Sequence, residues 1–246
     1  MKSKLNIDEV SKFLEVNLHT LRRWDEKGTL KAQRDTPTAH RYYFEDDLSD
    51  FLLNNFKYLF RVATKWAFSR KVIDIPSRLY CADAFVFKSR LARLATILQE
   101  RSDPEGLFTL ATSIMGEIGN NSFDHNLGNW SNIPGIFFGY NLKENKAILI
   151  DRGQGVLTTL KRVRPTLKND NEALKVAFTE ILSGREPENR GNGLKYVRKI
   201  VENNQMYLSF HSGDGLVLID GKAKDLKIIN ANTIMKGCLV TLNYKN

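Results

Sequence analysis

Cysteine is nearly missing from this 246-residue chain, which has two. Cys81 and Cys238 lie far apart and show no metal-ligand spacing. A disulfide framework is therefore excluded as the basis of the fold, and two reduced thiols in a cytoplasmic protein are expected. Long apolar runs are missing too. No window of about 18 apolar residues is there to cross a bilayer, and the start, MKSKLNIDEV, lacks the apolar centre of a signal peptide. No membrane partner is expected. There is no internal repeat, no low-complexity linker and, after residue 50, no sustained heptad for a long coiled coil. The phosphate-binding loop G-x-x-x-x-G-K followed by Ser or Thr does not occur. The G-x-G at Gly191 and Gly193 has Tyr196 where a dinucleotide-binding fingerprint needs its third glycine.

What is present suffices for a folded protein. Hydrophobic residues make up 42 % of the chain, enough for a substantial core. The formal charge of +9 permits a polyanionic partner. Its distribution carries little information. Residues 1–70 hold 13 Lys and Arg against 10 Asp and Glu, and the remainder holds 24 against 18.

The first fifty residues give a clearer pattern. Ile7, Val10, Phe13 and Leu14 are helically spaced, with Asn6 as a cap and Glu9 placed for a capping box. A second helix starts near Leu18, carries Leu21 and Trp24, and stops at Gly28. Two short helices joined by a tight turn outline a helix-turn-helix. The second presents His19, Thr20, Arg22, Arg23 and Lys27, which suit phosphates and base edges in a major groove. Two short extended runs then flank a tip at Asp35 to Ala39. Arg34 and Arg41 lie on its arms, followed by Tyr42 and Tyr43, a basic and aromatic wing. The pattern of Val10, Leu21-Arg22-Arg23-Trp24, Gly28, Leu30, Arg34, Arg41, Tyr43 and Asp47-Leu48 resembles the winged helix-turn-helix of MerR-type regulators and phage excisionases. Ala39 and His40 stand where that family has glycine in the wing. The resemblance implies double-stranded DNA as a partner, contacted through His19, Thr20, Arg22, Arg23, Lys27, Arg34, Arg41 and Tyr43.

Asp46 to Phe68 reads as one helix with a broad apolar face. Lys71 to Pro76 reads as a short β-like run. A further helix spans Asp83 to Gln99, with Phe85, Leu91, Leu94 and Leu98 expected inside. Asp103-Pro104-Glu105 is a good helix start. The helix it opens has Leu107, Leu110, Ile114 and Ile118 as its buried stripe. Glu117, Asn121 and His125 follow four apart, so they share one face. A carboxylate can orient or deprotonate water, an amide oxygen can ligate a hard cation such as Mg²⁺, and an imidazole can donate to a phosphate.

Residues 135–141 and 146–151 read as a β-hairpin. The second run ends in Asp151-Arg152-Gly153-Gln154-Gly155. A carboxylate at a strand end can accept from an adenine amino group, and the glycines let the backbone approach a flat base. A polar stretch follows, with a helix from about Asn171 to Leu182 and then Arg185 to Arg190, suited to a cover over phosphates. Gly191-Asn192-Gly193-Leu194 opens another helix, whose free amides can hold phosphate. Strands are expected at 206–212, 215–220 and 238–244, with a hairpin turn at Ser212 to Gly215.

The order of these motifs resembles the GHKL ATPase fold, over residues 80–246. The resemblance implies ATP and Mg²⁺ as cofactors. Asn121 would ligate the metal and Glu117 would be the general base. Asp151 would read the adenine, with Gly153 and Gly155 shaping its pocket. His125, Arg190, Gly191, Asn192, Gly193 and Leu194 would meet phosphates. The expected fold is α+β: a small winged helix-turn-helix at 1–53, a helical connector at 54–79, and a two-layer α/β sandwich at 80–246.

Three functions stay open on sequence. The first is an ATP-responsive DNA-binding regulator, with slow hydrolysis resetting it. The second is a kinase of anti-sigma-factor type acting on a separate protein, since His19, His40 and His211 lack the context of a histidine acceptor. The third is a nucleotide-binding interaction protein without turnover. A protein partner and a homodimer are left open.

Overall fold

The computed structural model describes residues 4–101, 106–180 and 193–245. A short strand β1 (Lys4–Asn6) leads into α1 (Ile7–Leu14) and α2 (Leu18–Glu26). The capping box forms as the sequence predicts: the Glu9 amide donates to Asn6 Oδ1 at 2.9 Å, and the Asn6 amide donates to Glu9 Oε2 at 2.7 Å. Asn17 caps α2 by accepting from the Thr20 amide at 2.7 Å. β2 (Tyr42–Phe44) returns antiparallel to β1, so the chain start forms one arm of the wing sheet. The other arm is a single bridge between Gln33 and Tyr42.

The expected helix over 46–68 is two helices. α3 (Glu45–Leu53) and α4 (Phe56–Phe68) are separated at Asn54 and Asn55. Those two side chains donate back to the carbonyls of Asp50 and Phe51, which competes with helix propagation. In α4, Leu59, Val62, Ala63, Trp66 and Ala67 are buried at helical spacing. Residues 71–76 are irregular rather than extended into a strand, since no neighbour pairs with them among the described residues. A single 3₁₀ turn (Ser77–Leu79) precedes β3 (Tyr80–Cys81).

Two long helices follow, α5 (Ala84–Gln99) and α6 (Leu107–Asn126). Asp83 caps α5, and the expected buried face holds at Leu91, Leu94 and Leu98 but not at Phe85. Phe87, Leu94 and Leu98 are inside, while Phe85 is 82 % exposed. Two residues around a helix is about 200°, so burying Phe87 turns Phe85 outward. The start predicted at Asp103-Pro104-Glu105 lies outside the described residues.

The rest is sheet and helix: β4 (Ile136–Asn141), β5 (Lys146–Asp151), α7 (Gly155–Lys161), α8 (Asp170–Thr179), α9 (Gly193–Asn203), β6 (Tyr207–Asp220) and β7 (Asp225–Asn243). The five-stranded sheet has the order β3-β4-β5-β7-β6, and every neighbouring pair is antiparallel. The hairpin expected at Ser212 to Gly215 does not form. The chain continues through it as β6, with register shifts between Ser212 and Gly215, and turns instead after Asp220. Gly213 takes φ 62°, which a bulge accommodates as well as a turn.

Successive strand residues point to opposite faces of the sheet. Ile136, Phe138, Ala147, Leu149, Val240 and Leu242 meet α5, α6, α8 and α9 in one core. Phe137, Ile148, Ile150 and Leu239 meet Leu59, Val62, Ala63 and Trp66 of α4 in a second. Within residues 80–246, α5, α6, α8 and α9 thus pack on one face, as a two-layer arrangement has it, and the other face is covered by α4 from outside that segment. The second core runs without a break into Val10, Leu14, Leu21 and Tyr43 of the winged helix. The segment expected as a connector is a packed layer between the winged helix and the sheet.

Candidate functional site

The site begins with α6. Its face carrying Glu117, Asn121 and His125 is half-buried. Gly193, at the start of α9, lies directly opposite. A Cβ at Gly193 would be 2.8 Å from Glu117 Oε2 and 3.3 Å from Asn121 Nδ2. A larger residue here would have to displace the ends of both side chains. Ser113 and Tyr196, 3.0 Å apart through their hydroxyls, hold the two helices together. Leu194 continues the first turn of α9. Arg185, Arg190, Gly191 and Asn192 lie outside the described residues.

One residue further around α6, a second pair four apart does different work. Ser122 Oγ donates to Asp151 Oδ2 at 2.8 Å, and Asn126 Nδ2 donates to Asp151 Oδ1 at 3.4 Å. The amides of Gly153 and Cys238 add bonds to Oδ1 at 2.9 and 3.3 Å. Asn126 Oδ1 in turn accepts from the Gln154 amide. Asp151 is 1 % exposed and receives only neutral donors. Burial pushes its carboxyl up to about 6, and the four hydrogen bonds pull back less than burial adds. A carboxylate has four acceptor positions. Three of these donors meet Oδ1 and Ser122 meets Oδ2, and the Cys238 side chain also bonds this carboxyl.

Glycines close the surroundings. A Cβ at Gly153 would overlap the Asn126 side chain, and one at Gly237 would lie 2.4 Å from the Asp151 carbonyl. Gly155 has φ 78° and opens α7, where Ser212 Oγ accepts from the Val156 amide at 3.0 Å. Ser122, Asn126, Gln154, Ser212 and Gly237 are not among the residues that the sequence points to. The spacing of Ser122 and Asn126 beside Asn121 and His125 is the signal that could have found two of them.

The neighbouring Arg152 points the other way, as strand alternation requires. It is 5 % exposed and lies on α4. Its guanidinium donates to the carbonyls of Trp66, Ala67 and Ser69, and to Asn132 Oδ1 at 3.2 Å. These are the unpaired carbonyls at the end of α4, where a cation is favourable.

In the winged helix, His19, Arg22, Arg23 and Lys27 are exposed on one face of α2, with Thr20 half-buried beside them. The opposite side of α2 is anchored by Trp24, whose ring lies 5.0 Å from Phe51 and 5.2 Å from Tyr58. Tyr43 is a correction: it is fully buried and belongs to the core, not to a contact surface. Arg34 and Arg41 both donate to Asp25 Oδ2, at 3.1 and 2.8 Å. The Ala32 amide donates to Asp25 Oδ1. Burial raises the Asp25 carboxyl, but the bonds from Arg41, Ala32 and Arg34 together hold it below its ordinary value. Both arginines therefore fasten the wing to α2. An open groove of about 600 Å³ lies between the wing, α3 and Lys143, and none of the candidate residues lines it.

Residues 6–43 match the profile of the MerR family regulatory proteins, so a MerR-type helix-turn-helix occupies that segment. The chain is also similar to the type II methyltransferase M.Eco47II of Escherichia coli, at 26 % identity over 110 residues. The match covers 45 % of this chain and 26 % of that protein, so the chain spans about a quarter of this relative's length. Among the described residues, no helix is long and apolar enough to cross a membrane, and no cluster of His, Cys, Asp and Glu is placed to hold a metal.

Proposed function

We propose that this chain is a DNA-binding regulator whose sheet domain binds ATP with Mg²⁺. The observation that carries the nucleotide half is the meeting of Glu117 and Asn121 with the bare backbone of Gly193, next to a buried aspartate at a strand end. The residues fit the group. The backbone of Gly193 comes close to Glu117 and Asn121, and the Asp151 carboxylate would accept from an exocyclic amine. Asn121 would hold Mg²⁺ through its amide oxygen. The amides of Gly193 and Leu194 would meet phosphate at the positive end of α9. Glu117 would orient a water and take its proton, which is the chemistry that turns binding into hydrolysis. Bound ATP supplies the phosphoanhydride to be cleaved. His125, on the same face, would donate to phosphate.

DNA would be met by His19, Thr20, Arg22, Arg23 and Lys27, with the wing held against α2 by Asp25. Replacing Arg23 with Ala should weaken DNA binding and reduce the salt slope by about 0.9 for each phosphate that Arg23 neutralises. An unchanged slope would remove Arg23 from the interface.

The test of the catalytic part is Glu117→Gln. Turnover should disappear while the thermal shift with ATP and Mg²⁺ persists. Undiminished turnover would remove Glu117 from the chemistry. If wild-type protein binds ATP without turnover, the reading reduces to a nucleotide-binding regulator. Label from ATP appearing on an added protein would favour the kinase reading instead. The methyltransferase similarity supports a second reading, methyl transfer. A thermal shift with S-adenosylmethionine and none with ATP would favour it over the first.

A further inference from the structure

Asp151 and Arg152 are consecutive, and the sheet sends them to opposite faces. Asp151 is held under α6 at the candidate nucleotide site. Arg152 closes the carboxyl end of α4 through three carbonyls, with its guanidinium also 5.6 Å from the Trp66 ring. The same helix grips the winged helix along its other side. Arg61 donates to the carbonyls of Leu14 and Glu15 at the end of α1, at 3.3 and 3.4 Å. Lys65 donates to the Lys12 carbonyl at 3.0 Å and pairs with Glu15 at 2.9 Å. Tyr58 packs edge-on against Trp24 of α2. Every link joins a charged or aromatic side chain to the end or flank of a helix, so each passes on a rigid-body shift.

We infer that Arg152 is a positioning residue through which occupancy of the Asp151 pocket is transmitted, by way of α4, to the DNA-facing helices. This rests on the nucleotide reading above. A base seated against Asp151 and Gly153 adjusts the backbone on either side of Arg152. The guanidinium cannot follow without moving the α4 carbonyls it binds, because a buried cation stripped of its acceptors is costly. α4 then carries α1 and α2 with it. A ligand can shift the winged helix only by the difference in its affinity for the two arrangements.

Amide hydrogen exchange on the full chain, with and without a non-hydrolysable ATP analogue and Mg²⁺, separates the possibilities. In wild type, the analogue should slow exchange at residues 151–155 and change it at residues 7–26. In Arg152→Gln, slowing at 151–155 should persist and the change at 7–26 should disappear. Absence of slowing at 151–155 in wild type would overturn the nucleotide reading itself. Slowing there with no change at 7–26 would overturn the transmission alone. A full change at 7–26 in Arg152→Gln would overturn the role of Arg152. If that variant does not fold, Arg61→Ala, on the surface side of the same path, should also uncouple 7–26 from the pocket. Retained coupling in Arg61→Ala would overturn the inference.

Discussion

Asp25 and Asp151 are both carboxylates that organise a loop, and they do it under opposite conditions. Asp25, in the wing, takes two guanidinium groups and one amide, and its proton affinity falls. Asp151, under the sheet, takes two amides and the neutral side chains of Ser122, Asn126 and Cys238 while fully buried, and its proton affinity rises. A structural brace draws on opposite charge, as Asp25 does. A carboxylate kept buried without a cation costs stability, and such a cost is tolerated where a site needs it. The difference is the reason to look for a ligand at Asp151 and not at Asp25.

The glycine beside Asp151 gives the largest expected effect. In Gly237→Ala the new Cβ would meet the Asp151 carbonyl and the Gly153 amide, at a backbone with φ 87°. Backbone atoms cannot step aside, so destabilisation of about 3 kcal/mol or more is expected in urea unfolding. A destabilisation under about 1 kcal/mol would mean the loop around Asp151 is not rigid.

The pH dependence of Asp151 comes next. Its folded value lies above the unfolded one, so it favours the native state fully below about pH 4, and that contribution is lost as pH rises through about 6. Asp151→Asn removes the proton equilibrium. Between those limits, wild type should lose about 2 to 3 kcal/mol relative to the variant. Parallel stability profiles would show that Asp151 is not buried as described.

Asp25 runs the other way. Its folded value is depressed, so its stabilisation is present above the unfolded value and is lost as pH falls through the folded one. Asp25→Ala strips Arg34, Arg41 and the Ala32 amide of their acceptor. It should cost about 2 kcal/mol near neutral pH and less in strong acid, by urea unfolding. A cost independent of pH would contradict the brace.

The smallest effect completes the contrast. Gly28 also has a positive φ, 70°, but a Cβ there meets nothing within 4 Å. Gly28→Ala should cost about 1 kcal/mol from backbone strain alone. A penalty matching that of Gly237→Ala would mean the end of α2 is crowded as well.

The sequence exposes the parts that depend on local spacing. Asn6 and Glu9 are three apart and cap α1; Glu117, Asn121 and His125 are four apart and share a face of α6. Both hairpin strands around residues 141–146 are readable from their apolar runs. What escapes depends on distant partners. Tyr43 reads as an exposed aromatic until the core closes over it. Phe85 and Phe87 are equivalent as letters, and only packing chooses Phe87. The turn signal at Ser212 to Gly215 is overridden because β7 continues alongside, with a bulge taking up the mismatch. β4 and β5 are apolar on both faces, which is the available sign of helices on both sides. Ser122 and Asn126 escape because their partner, Asp151, is more than twenty residues away.

The most direct measurement of the central claim is the melting temperature of the protein with ATP and Mg²⁺, compared with Asn121→Ala. A ligand at a hundredfold excess over its Kd stabilises the native state by about 2.7 kcal/mol. Wild type should melt several degrees higher with ATP and Mg²⁺, and Asn121→Ala should lose most of that rise. No rise in wild type, or an equal rise in the variant, would contradict a nucleotide site at Glu117, Asn121, Asp151 and Gly193.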